Sequence, residues 1–280
     1  MKIAIYFLYI FLVKGEVINQ TFKKPESNVE VYLYEITQEG TNLIDSTISG
    51  KKGTFQFESG EGMYLLKAFY KNSIFRENPV LIKKDTSLVL SVWELTESTD
   101  GMEISRVHIA VLPEKDGITV TEVISFNNFN NKAFYKPFGI ELPSKIKSFS
   151  PFSGIFPDEV HLTDNKLLYY LPLVPGKQVI SFQYLVPESF EFKRTFPFRT
   201  ELFEIFVSPE LKVEGYGKGE SQQIGEKKYR RFVLQNIQAN KEVFFKVTKS
   251  KKLINLKDIF PVLIVLIFIA IFLIYRWKKK

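Results

Sequence analysis

The sequence predicts an all-β protein: two tandem β-sandwich domains, led by an N-terminal signal peptide and closed by one C-terminal transmembrane helix. Three observations carry that prediction. Short runs rich in β-branched and aromatic residues alternate with Gly, Ser, Asn and Pro throughout residues 16–255. No helical apolar periodicity is sustained in that stretch. Apolar segments free of acidic residues stand at both ends, over 3–13 and 259–275.

Residues 3–13 follow Met1 and Lys2. They are too few to span a bilayer but match the apolar core of a secretory signal, and Gly15 supplies a small residue before a cut. The signal peptide is therefore expected over 1–15.

The first globular unit is expected over 16–97. In 29–34, Val29, Val31 and Leu33 alternate with Glu30, Tyr32 and Tyr34, so one set faces a core. Runs at 53–57, 64–70 and 88–93 have the same character. Gly53 is expected to supply a turn conformation that a Cβ penalises, after which Phe55 and Phe57 enter the core from alternate positions.

The placement of Gly15 and Val17, of Val29, Val31 and Leu33, of Thr47, of Gly53, Phe55 and Phe57, and of Gly62, Tyr64, Leu66, Ala68 and Tyr70 resembles the carboxypeptidase regulatory-like domain. The resemblance covers roughly residues 15–95. It implies a transthyretin-like (prealbumin-like) β-sandwich that acts as a scaffold or binding platform and not as a catalyst. The spacing from Thr47 to Gly53 is longer than the family's pattern.

Residues 94–101 are polar and form the expected join. The second, larger sandwich is expected over 102–248, with strands at 104–112, 118–126, 133–142, 166–172, 178–186, 201–207, 210–216, 229–235 and 241–247. The Gly-rich segment 215–225 reads as a mobile hairpin loop. One hairpin can be put in register. If a five-residue turn over 113–117 centres on Lys115, Leu112 faces Ile118 and His108 faces Glu122. His108 and Glu122 are then a cross-strand pair, read as a satisfied structural pair in preference to a site with a tuned imidazole or a metal ligand. A one-residue slip sends them to opposite faces.

Phe149, Phe152 and Phe156 share a Pro- and Gly-bearing loop and form the candidate interaction surface. Phe190, Phe192, Phe196 and Phe198 alternate as core residues. The apolar parity then shifts to Phe203 and Ile205, so a bulge or break is expected near 200–202.

A stalk at 249–258 leads into the apolar run 259–275, and Arg276, Lys278, Lys279 and Lys280 follow. A helix over that run covers roughly 26 Å, close to the hydrocarbon thickness. The basic tail, 276–280, is expected in the cytoplasm and the sandwiches outside it.

The chain carries a net charge of +7 from 38 basic and 31 acidic residues. Six of the basic residues belong to the terminal segments, so the remainder holds 32 against 31 and is nearly neutral. No nucleic-acid footprint follows from such a balance. There is no cysteine, so disulfides and thiolate metal sites are excluded and stability rests on core burial, for which 27 Phe and 13 Tyr supply material.

Catalytic signatures are poor. His108 lacks the acid of a zinc carboxypeptidase motif. His161 stands near Asp158, Glu159 and Asp164, a pattern compatible with a hard-metal or zinc cluster but also with a solvated acidic loop. No nucleophile elbow or phosphate-cradling loop is present. No enzyme and no cofactor are expected. The expected protein is a membrane-anchored envelope protein, held to lipid by its C-terminal helix and acting on an envelope protein partner as a non-catalytic binding or scaffolding platform. The alternatives are a carbohydrate- or peptide-binding surface module, and an accessory subunit of envelope assembly or metalloprotein maturation.

Overall fold

The computed structural model describes residues 10–163 and 165–249. Regular structure among them is β throughout, apart from one 3-10 turn at Pro157–Glu159. The stalk beyond Lys249, the apolar run 259–275, the basic tail and residues 1–9 lie outside the described residues. No helix among the described residues is long and apolar enough to cross a membrane.

The first sandwich packs two sheets. Phe11–Asn19 is central in one, antiparallel to Thr54–Ser59 and parallel to Thr86–Val92. The other runs Gly40–Ile48, Glu30–Thr37, Gly62–Tyr70, then Ser73–Arg76, with Val80–Ile82 also on Gly62–Tyr70. The alternation read from the sequence is the one observed: Val29, Val31, Leu33, Phe55, Phe57, Tyr64, Leu66 and Ala68 are all buried in one core.

The expected end of the leader falls inside a strand. Val13 is fully buried in that core and pairs with Phe57, so residues 11–15 are the first half of the central strand. Gly15 has a packing role as well. It lies opposite Phe55, and a Cβ there would sit 2.3 Å from the Phe55 ring and 2.6 Å from the Leu88 carbonyl oxygen. Gly53 adopts φ +73°, and its carbonyl accepts the Val17 N–H at 2.8 Å, which is the turn role expected of it.

The second sandwich is built on a seven-stranded sheet in the order Ser148–Pro151, Gly176–Val186, Gly117–Asn128, Met102–Glu114, Arg199–Val207, Lys227–Ile237, Glu220–Ile224. Two three-stranded sheets share its core. One is Phe138–Glu141, Lys166–Tyr169 and Val160–Leu162; the other is Ser189–Thr195, Glu242–Lys249 and Leu211–Glu214. Ring contacts join the layers, such as Phe126 to Phe138 at 5.5 Å and Phe192 to Phe203 at 6.0 Å. Two expectations change here. Residues 220–224, placed in a hairpin loop, form an edge strand, and Ser189–Thr195 is a strand of its own.

The hairpin register is off by one from the expected register. Glu114 pairs with Gly117, so the loop is Lys115 and Asp116 alone. Ile109 then faces Glu122, and His108 faces Val123. A bulge after Ile104 absorbs the extra residue. The parity change expected near 200–202 is present: Phe198 and Thr200 are buried, then Phe203 and Ile205.

Candidate functional site: the seam between the sandwiches

The join is not a free linker. Leu95–Thr96 pairs in parallel with Ala133–Phe134, and Ala133 packs into the core of the first sandwich. Thr21 Oγ1 donates to the Asn131 carbonyl at 2.9 Å. The Glu94 carboxylate accepts from Lys71 Nζ at 2.6 Å, Tyr70 OH at 2.9 Å and Asn19 Nδ2 at 3.1 Å. Its pKa is lowered, chiefly by the bond from Lys71. Burial, with help from Glu94, pushes the Tyr70 hydroxyl up to about 12.

A second set of charges crosses the seam. Lys67 is 4% exposed and projects from the first sandwich to Asp158 Oδ2 at 2.5 Å and Glu159 Oε1 at 3.7 Å on the second. Arg76 Nε lies 2.7 Å from Glu159 Oε1, although its N–H is not aligned for a hydrogen bond. Glu159 Oε2 accepts the Phe156 N–H at 2.9 Å and so closes the 3-10 turn. Aromatic faces complete the cluster: Lys67 lies 4.9 Å from the Tyr34 ring centre, and the Arg76 guanidinium lies 4.9 Å from that of Phe156. Burial raises the Glu159 pKa, with Arg76 opposing it.

Beside this cluster a cleft of about 330 Å³ opens between the domains. Ile74, Arg76, Glu77, Asn78 and Trp93 form one wall; Tyr169, Leu171, Lys177, Gln178 and Val179 form the other. A larger groove of about 740 Å³ lies on the first sandwich alone, over Lys14, Glu16, Ile48, Gln56 and Val89. It is open and lacks the seam's buried charges, so the seam is the better candidate.

The geometry divides the residues of the candidate interaction loop. Phe149 is half-buried, 5.8 Å from the Phe182 ring, and Phe156 sits under Arg76. Phe152 is exposed, at 57%. Two of the three rings thus pack against the protein itself, and one is presented outward. Asp158 and Glu159 turn to Lys67 and Arg76, while His161 is exposed on Val160–Leu162 and Asp164 lies outside the described residues. The described residues bring no set of three metal-ligating side chains together.

The expected His108–Glu122 pair is not formed. The one-residue slip puts His108 on the outer face, with Nε2 2.6 Å from Glu204 Oε2 and its ring 5.8 Å from that of Phe206. Burial lowers its pKa, partly offset by Glu204. Glu122 faces the core, where Arg194 donates to it at 2.6 and 2.9 Å and Tyr184 OH at 2.7 Å. Arg194 also stands 4.6 Å from the Phe192 ring centre and donates Nε to the Glu141 carbonyl at 2.8 Å. Sequence reading passed over Arg194, because a single Arg in an aromatic run looks like an outward-facing residue. Its even-numbered alternation with Phe190, Phe192, Phe196 and Phe198 was the available signal.

Fold and seam together define a two-domain β-sandwich protein with a charged, partly buried domain interface. No family model and no curated protein matches the chain. Among solved structures, it is similar to a DUF3823 family protein from Parabacteroides merdae ATCC 43184 (18% identity, 61% of this chain and 79% of that one, TM-score 0.27). It is also similar to an M1 zinc metallopeptidase from Deinococcus radiodurans (9% identity, 53% of this chain and 42% of that one, TM-score 0.33). A third is a 9R-lipoxygenase from Cyanothece PCC8801 (12% identity, 30% of this chain and 16% of that one, TM-score 0.23). The chain spans only 16% and 42% of the lipoxygenase and metallopeptidase chains.

Proposed function

We propose that this protein is a membrane-anchored, non-catalytic binding platform of the cell envelope, with a first sandwich of the carboxypeptidase regulatory-like type. The carrying observation is the Lys67–Asp158–Glu159–Arg76 cluster, which locks two sandwiches into one arm. A buried charge cluster that bridges both domains supports fixed presentation.

Strand direction gives the arm its orientation. Glu242–Lys249 ends beside the tight hairpin, where Lys249 Nζ donates to the Glu114 carbonyl at 2.9 Å. The first sandwich is attached at the opposite pole, near Asn128 and Ala133. Gly117–Asn128 is 12 residues long, so those poles are roughly 40 Å apart at the rise of a strand. The apolar run 259–275 supports a tether at the near pole, and the basic residues after it support a cytoplasmic tail. The first sandwich is then held away from the bilayer as the presenting end.

Fractionation of expressing cells tests this. The full-length chain is expected in the membrane pellet, released by detergent and not by high salt, with its sandwiches digested by protease added outside. Recovery as a soluble cytosolic protein would overturn it.

A further inference from the structure

We propose that the cleft between the sandwiches binds a neutral saccharide; this rests on the reading of the protein as a binding platform. The cleft holds about 330 Å³, within the range of small-ligand sites, and both domains line it.

Its chemistry narrows the ligand. Formal charges cancel locally: Arg76 is countered by Glu159, and Glu77 and Lys177 are of opposite sign. An anion therefore finds no uncompensated cation. A purely apolar ligand fits no better. The Gln178 Oε1 atom is buried without a hydrogen-bond partner and asks for a donor. Arg76 Nε is likewise buried without an aligned acceptor. Glu77 spends Oε1 on the Ser91 N–H at 2.9 Å, and the Asn78 amide stands beside it. The opposite requirement is an apolar surface, which Trp93 supplies, braced by Phe75 with ring centres 5.8 Å apart. A sugar ring satisfies both demands: its hydroxyls donate and accept, and its C–H face packs on an aromatic plane.

The two tryptophans make the test direct, since they are Trp93 and Trp277. In the full chain carrying Trp277→Phe, in a sugar-free detergent, Trp93 is the single reporter. Titration with maltose, cellobiose and N,N′-diacetylchitobiose is expected to give a saturable emission change for one of them. Gln178→Ala, checked for native circular dichroism, is expected to weaken that binding about tenfold, the scale of one lost hydrogen bond. If no disaccharide gives a saturable change up to its solubility, or if inorganic phosphate does so instead, the proposal fails. Membrane fractionation of the same protein separates the outcomes: a membrane-bound protein blind to sugars sinks the cleft and spares the platform.

Discussion

Arg194 and Glu122 face each other from different sheets of the second sandwich, with no solvent reaching either side chain. Burial presses the Arg194 pKa down, but the Glu122 carboxylate outweighs it and leaves it raised, so the guanidinium keeps its charge. Both carboxylate oxygens and the guanidinium are hydrogen-bonded, as a buried pair requires. Arg194→Met is expected to cost about 3–5 kcal/mol, because Glu122 is left buried without its partner. The double variant Glu122→Leu with Arg194→Met should recover most of it. Urea unfolding of both variants checks this; equal losses would show that the pair is not what the core depends on.

Gly15 is expected to tolerate no side chain. Gly15→Val drives a branched carbon into the Phe55 ring and the Leu88 carbonyl, and overpacking of that kind costs about 1–3 kcal/mol. A melting temperature unchanged from the parent would refute the close approach.

The mature N-terminus provides a third test. Val13 and Val17 lie in one core on one strand, so cleavage after Gly15 would remove five of the six pairings with Thr54–Ser59. N-terminal sequencing of the expressed protein is expected to find Phe11 retained. A terminus at Glu16 would show that the strand forms without its first half.

The seam should respond to both charge and pH. Lys67→Ala leaves Asp158 without its cation and Glu159 with Arg76 alone, and is expected to loosen the domains, read as faster proteolysis within 97–101 and a larger radius of gyration. The pKa of Glu159 is raised in the folded protein, so the folded form holds its proton more tightly than the unfolded one. Its contribution is therefore fullest below the ordinary carboxylate range and is lost as pH rises through the raised value. Glu159→Gln should flatten that part of the stability profile.

His108 has the opposite sign. Its folded pKa is lowered, so the unfolded chain takes up the proton first as pH falls below about 6.5. Stability from this group is present above that pH and drains as pH drops through the folded value. Proton NMR titration of the imidazole checks it directly, and a midpoint above the ordinary histidine value would contradict the burial described.

Much of the first sandwich was legible because its strands alternate cleanly. Val29, Val31 and Leu33 against Glu30, Tyr32 and Tyr34 leave one solution for the face. The parity switch between Thr200 and Phe203 was legible for the same reason. The His108 register was not, because Pro113 to Gly117 admits both a five-residue turn and the two-residue loop observed, and the bulge that accommodates the latter lies at Ile104, far along the strand. The seam was the least legible part. Lys67 sits in a strand whose neighbours Leu66 and Ala68 are core residues, and only the partner domain explains burying it. Asp158 and Glu159 read as a solvated acidic loop or a metal cluster for the same reason: Lys67 is 91 positions from Asp158.

The parallel ladder between Phe11–Asn19 and Thr86–Val92 ties the beginning of the first domain to its last long strand. Leu12 and Asp85, 73 positions apart, are joined by a hydrogen bond at its edge. A chain emerging N-terminus first can pair one edge of its opening strand once Thr54–Ser59 has appeared, but the other edge waits for residue 92, and contacts of such long range close slowly. The first sandwich is thereby closed last along the edge where its opening and final long strands meet.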